Sequence, residues 1–191
     1  MSHRIAVAVV IASSAWALPA ASRIAAQEAA KPEKPVDLQV DDEAPEFEAV
    51  DQSGKEWKSK DHVGKKILVV YFYPKDMTPG CTKQGQCYRD AQADLEEEGV
   101  EVVGVSRDSV DSHQQFIKKE KLNFTLLSDP EGKVSAAFGV EPLKIGNLEL
   151  NSRWTFVIDM DGKIAYRDDD VKADQDVKNV LKIVAGLKKK A

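Results

Sequence analysis

A three-layer α/β/α domain with a mixed central sheet is the fold class this sequence predicts, on three observations. Ile67–Tyr73 (ILVVYFY) and Val100–Ser106 are unbroken apolar, β-branched and aromatic runs, the pattern of strands buried on both faces. Helical stretches separate these runs, so successive strands are joined by crossovers and run parallel. Trp154–Ile158 and Lys163–Tyr166 flank Asp159-Met160-Asp161-Gly162, a hairpin signal that adds antiparallel strands to the same sheet.

In chain order, residues 1–26 come first and belong to targeting rather than to the fold. They hold no acidic residue, a basic start at Arg4, an apolar run from Ile5 to Ala17 and small residues at Ala20-Ala21-Ser22. That is the pattern of a secretory signal peptide, and the run is shorter than the ~20 apolar residues a spanning helix needs. The cleavage point stays open between Ala17 and Ser22. Export, to a periplasmic or extracellular address, is the expectation. Residues 27–39, rich in Pro, Ala and charge, read as a tether, and residues 40–191 as the single folded domain.

Within the domain, Phe47–Val50 and Glu56–Lys58 flank the turn signal Gln52-Ser53-Gly54 and predict a small hairpin. After the strand ending at Tyr73, Pro74 breaks the pattern. A helix is expected from about Pro79 to Glu98, with Gly99 as its C-terminal cap. Val100–Ser106 is the next strand. Asp108 or Ser109 can cap a helix running to about Lys121, and Phe124–Leu127 is a short third strand. Ser128-Asp129-Pro130-Glu131-Gly132 is loop chemistry leading into a short helix that ends near Gly139. Val177, Val180, Leu181, Val184 and Leu187 mark one face of a C-terminal helix. His62 and His113 lie in polar surroundings and read as surface residues.

Composition narrows the function. The net charge of −5, from 27 basic and 32 acidic residues, lacks the electrostatic footprint of a nucleic-acid binder. Two cysteines and three histidines are too few for a disulfide scaffold or a zinc site, so no metal and no cofactor is expected. The chemistry gathers in Pro74-Lys75-Asp76-Met77-Thr78-Pro79-Gly80-Cys81. Thr78 suits an N-cap and Pro79 the first helical position. Cys81 then falls in the first helical turn, where unpaired amides and the helix dipole favour negative charge. Such a setting favours the nucleophilic thiolate. The Thr78 hydroxyl is placed to donate to that sulfur or to an oxygen beside it. A buried, inert cysteine after a turn is the competing reading of the spacing alone.

The stretch Tyr71–Thr82 (YFYPKDMTPGCT) closely resembles the active-site segment of the peroxiredoxins, above all their bacterioferritin-comigratory, or Q-type, branch. The likeness extends over Ala44-Pro45-Glu46-Phe47, Val103–Ser106, Leu127-Ser128-Asp129 and Arg153–Asp159. It implies a thioredoxin-like fold and thiol-dependent reduction of hydrogen peroxide or organic hydroperoxides. It also implies Cys81 as peroxidatic cysteine, Thr78 as active-site threonine, Pro74 as a shield of the pocket and Arg153 as the pocket arginine. Gln84 stands where the family has Glu or Gln. The implied partners are a hydroperoxide and a thioredoxin-like or other thiol reductant, and a monomer is the expected state.

One departure concerns the second cysteine. The branch places it five residues after the first, whereas Cys87 lies six after Cys81. Either offset exceeds the ~4.4–6.8 Å Cα separation of a disulfide on an intact helix, since six residues rise about 9 Å. Cys87 is thus a resolving cysteine if the helix unwinds, or a half-buried helical residue of a one-cysteine enzyme if it does not. Two other classes compete with this reading. A thiol–disulfide exchange protein would carry C-x-x-C, which this chain lacks, and a copper-binding redox module would need closely spaced cysteines with a partnering histidine.

Overall fold

The structure, a computed structural model, describes residues 36–188. β3 (Ile67–Phe72) runs through the middle of a seven-stranded sheet and is buried at all six positions. Beside it lie β4 (Val100–Ser106) and then β5 (Thr125–Ser128), both parallel to it in direction. On its other side β8 (Trp154–Ile158) and β9 (Ile164–Asp168) follow, each antiparallel to its neighbour. The hairpin of β1 (Glu48–Asp51) and β2 (Glu56–Lys58) closes the far edge, with β1 antiparallel to β5. The sheet is mixed, as the sequence predicts.

Alternation along β3 divides the interior in two. Ile67, Val69, Tyr71 and Tyr73 join one core cluster, and Leu68, Val70 and Phe72 join the other, as a period of two requires. The first cluster is completed by neighbouring strands and covered by α1 (Pro79–Asp90), α2 (Gln92–Glu97), α3 (Val110–Glu120) and α5 (Asp176–Lys188). Among the described residues the second is covered by one short helix, α4 (Lys133–Ala137), and by other segments such as that around Phe47 and Trp57, so one outer layer is thin. Leu38 also packs there, and Arg167 holds the same segment by donating to Asp37 Oδ1 at 2.6 Å and to the Leu38 carbonyl at 2.8 Å.

Three details differ from the expectation. The helix expected over 79–98 is two helices, because Ala91 leaves helical geometry (φ −94°, ψ 4°) between α1 and α2; Gly99 caps the second at φ +70°. A two-stranded sheet of β6 (Pro142–Ile145) and β7 (Leu148–Asn151) lies between Gly139 and Trp154, where the sequence predicts no element. Its residues are exposed up to Glu149, so no burial periodicity announces it. His113 is fully buried, not on the surface, because it shares the inward face of α3 with Phe116. His62 is half-buried, stacked on Trp57 and paired with Glu101 at 2.9 Å.

Gly104 of β4 sits opposite Tyr71 on one side and Leu126 on the other. A Cβ there would stand 2.7 Å from the Tyr71 hydroxyl and 2.8 Å from Leu126 Cδ2, both fully enclosed side chains. Gly104→Ala therefore overpacks the centre of the sheet. Chemical denaturation should show a loss of about 1–3 kcal/mol.

Candidate active site

The end of β3 feeds a tightly pinned loop. Asp76, 5% exposed, accepts at Oδ1 from the Tyr73 hydroxyl (2.7 Å) and at Oδ2 from the Ser112 hydroxyl (2.7 Å), with His113 Nδ1 2.9 Å from Oδ2. Its own amide donates to Asp108 Oδ2 at 2.9 Å. The loop then turns through Met77, an exposed non-glycine residue in the left-handed region at φ +58°.

Thr78 is the N-cap of α1 by backbone geometry, and Pro79 takes the first turn as expected. The Thr78 side chain makes no capping bond; its hydroxyl donates to the Lys75 carbonyl at 3.0 Å, not to Cys81. That leaves its oxygen lone pairs as acceptors. Pro74 is half-buried at the head of the loop.

Cys81 follows in the first turn and is 2% exposed. Arg153 Nη2 lies 3.2 Å from its sulfur. The arginine reaches it because β8 pairs with β3 in the register Phe72↔Trp154, which sets the residue before β8 beside the chain leaving β3. Gly80 leaves the space it needs, since a Cβ there would stand 3.3 Å from Nη2. Cys81, Gln84, Gly85 and Tyr88 form the buried face of α1.

A relay of polar groups continues inward from Arg153. Its Nη1 donates to Gln84 Oε1. Gln84 Nε2 donates to Asp176 Oδ2 at 2.6 Å, and the same oxygen accepts from the Tyr88 hydroxyl at 2.8 Å and the Thr155 hydroxyl at 3.0 Å. Gln84, Tyr88, Thr155 and Asp176 are all buried. Burial pushes the Asp176 carboxyl above its ordinary value, against the three hydrogen bonds that favour its charged form. The Tyr88 phenol is driven well above 10, first by burial and then by the neighbouring Asp176 charge, so it stays a donor.

Sequence reasoning names Cys81, Arg153, Gln84 and Thr78 but not Asp176, Tyr88, Thr155 or Gly80. A signal for Asp176 exists: it lies four residues before Val180 and eight before Val184, on the apolar stripe of α5. Cys87 is half-buried against the same core cluster, and α1 is unbroken between the two free cysteines.

A buried cysteine in the first turn of the helix after a central strand, with an arginine on its sulfur, defines a thiol redox centre on a thioredoxin-like fold. The chain belongs to the AhpC/TSA family, whose profile matches residues 40–167. It is 44% identical over 138 residues to Peroxiredoxin Bcp of Escherichia coli K12, covering 71% of this chain and 88% of that one. To the chloroplastic Peroxiredoxin Q of Oryza sativa subsp. japonica it is 40% identical over 145 residues, covering 75% and 65%. Peroxidoxin BcpB from Mycobacterium tuberculosis superposes with a TM-score of 0.73 at 30% identity, over 78% of this chain and 98% of that one. Xanthomonas campestris Peroxiredoxin Q gives 0.67 at 31% identity, over 73% and 90%. The protein is thus a peroxiredoxin, a thiol peroxidase, and neither the exchange protein nor the copper module is favoured.

The raised Asp176 carboxyl has a consequence for stability. Its contribution is greatest below the unfolded-state value of about 3.9 and is lost as pH rises through the higher folded-state value. Relative to the parent, Asp176→Asn should gain stability on going from about pH 3 to pH 7. Denaturation midpoints across that range measure it, and a fall in relative stability would contradict the burial effect.

Proposed function

We propose that Cys81 reduces hydroperoxides as the attacking thiolate, that Arg153 supports this form, and that Cys87 completes the cycle. The observation that carries the reading is the 3.2 Å approach of Arg153 Nη2 to the Cys81 sulfur at a helix N-terminus. The thiolate attacks one peroxide oxygen, an S–O bond forms as the O–O bond breaks, and the leaving oxygen departs as water or an alcohol once protonated. Negative charge moves from sulfur to oxygen along that line, and a fixed cationic donor stabilises it there. The Thr78 hydroxyl, its proton on the Lys75 carbonyl, offers the peroxide O–H an acceptor. Pro74 walls the same loop.

The product on Cys81 is a sulfenic acid, which condenses with a thiol and expels water. In this reading that thiol is Cys87. Because α1 is continuous across both residues, the helix opens between them before the bond can form. Gly85, within that stretch, costs a helix about 1 kcal/mol relative to Ala. Its hydrogen also lets α1 pack on Leu122, since a Cβ would meet Leu122 Cδ2 at 3.3 Å. A thioredoxin-like dithiol then reduces the disulfide. The relatives named for alkyl peroxide reduction, such as the Xanthomonas campestris bacterioferritin comigratory protein, support organic hydroperoxides as substrates alongside hydrogen peroxide. The enzyme acts as a monomer after export, the leader pattern of residues 1–26, which lie outside the described residues, being the support for that address.

Intact mass after one equivalent of hydrogen peroxide tests the cycle. The reduced parent should lose two hydrogens, Cys87→Ser should gain one oxygen, and Cys81→Ser should stay unchanged and turn over no peroxide. A parent that gains an oxygen instead would remove Cys87 from the cycle, and an active Cys81→Ser would overturn the whole reading.

Arg153→Met should slow the first step by about 10²–10³, the usual effect of deleting one aimed donor. Stopped-flow measurement of Cys81 oxidation reads this separately from reductant steps.

A further inference from the structure

We propose that Asp176 is a positioning residue for the peroxide-reducing thiol, aiming Arg153 at Cys81 by fixing which way round the Gln84 amide sits. The proposal rests on the function assigned above to Cys81 and Arg153.

A glutamine amide has one accepting and one donating end, and by shape alone the two are interchangeable. Arg153 is always cationic and only donates, so its Nη1 needs the Oε1 end of Gln84. A flipped amide would present N–H groups to a guanidinium. What prevents the flip is the opposite neighbour. Asp176 Oδ2, 2.6 Å from Gln84 Nε2, belongs to a group that accepts at both oxygens when charged and so requires the donating end.

The carboxylate is itself held from two further elements, by Tyr88 on α1 and Thr155 on β8. Thr155 of β8 lies two residues beyond Arg153, which immediately precedes that strand, so the relay closes into a loop: Cys81, Arg153, Gln84, Asp176 and back through Thr155 to β8. Because the guanidinium is planar, holding Nη1 on Gln84 fixes the direction of Nη2 toward the sulfur.

Packing alone does not explain a carboxylate here. Asp176 is 1% exposed, and its Oδ1 is buried with no hydrogen-bond partner among the described residues. An apolar side chain would fill the space without burying a charge. The titratable groups that face it are Tyr88 on α1, Tyr71 on β3 and Tyr166 on β9, whose phenols its charge holds up, and Asp168 on β9, which raises the Asp176 carboxyl further. Asp168 is also acidic, so it offers Asp176 no compensating cation. The use of the charge lies in the direction it imposes on Gln84.

The test is a swap of the two side chains' polarity in the full chain. Asp176→Asn keeps shape and one accepting oxygen, yet tolerates either orientation of Gln84. It should slow Cys81 oxidation by hydrogen peroxide about tenfold, less than outright loss of the aimed donor. The pH at which Cys81 alkylates with iodoacetamide should move upward. Gln84→Glu alone sets two carboxylates against each other and should also be slow. The double variant Gln84→Glu/Asp176→Asn restores one accepting end for Arg153 and one donating end behind it, and should recover most of the parental rate and alkylation profile. Thermal unfolding confirms that each variant is folded. A parental rate and profile in Asp176→Asn, or a double variant no faster than the slower single one, would overturn the proposal. Failure of the peroxidase reading shows separately, as a parent that consumes no peroxide while its alkylation profile still reports on the relay.

Discussion

The antiparallel pairing of β8 with β3 is the constraint on which the rest of this site depends. β3 is the central strand, and the helix bearing Cys81 begins seven residues beyond its end. β8 starts opposite that end, at Phe72↔Trp154. One register therefore brings Arg153 to a sulfur 72 residues away in sequence. A slip of a single residue would turn the inward and outward faces of β8 over and send the two buried clusters' members to the wrong sides. Both cores thus defend the register that the chemistry needs.

Two buried carboxylates then hold the beginning and the body of α1 by different means. Asp76 gathers Tyr73, Ser112 and His113 and fixes the loop before the helix, including the left-handed turn at Met77. Asp176 gathers Gln84, Tyr88 and Thr155 and fixes the inward face of the helix. Buried polar clusters of this kind are favourable only when their members find partners. Here they hold the surroundings of Cys81 in place in advance of any ligand. They also oppose the opening of α1 that an intramolecular disulfide requires, because Gln84 lies between the cysteines and Tyr88 directly follows the second.

How far the sequence could be read follows from where the information sits. The strands, the helix start at Thr78-Pro79 and the place of Cys81 in the first helical turn are local signals, carried by apolar runs and capping chemistry within a dozen residues. Arg153 is legible only through a family likeness, since nothing in its own neighbourhood marks it. Local polarity places His113 on the surface because it says nothing of which helix face meets the sheet, whereas Phe116 one turn on turns it inward. Asp176 carries a signal in its spacing from Val180 and Val184, but its polar type points outward while its position points inward. The β6–β7 hairpin is solvated over most of its length, so it has no buried face for a periodicity to record.

The thin outer layer ties the start of the described chain to β9. Arg167 on β9 clasps Asp37 across 130 positions, and its guanidinium also lies 4.5 Å over the Trp154 ring. β1 waits for β5, β3 waits for β8, and the strap around Leu38 waits for β9. Such non-local closure slows folding, because loop entropy is lost before the contacts that reward it are made. A growing chain of this protein consequently keeps its sheet incomplete until β8 has emerged, and the Cys81 sulfur stays without its arginine until that strand has docked on β3.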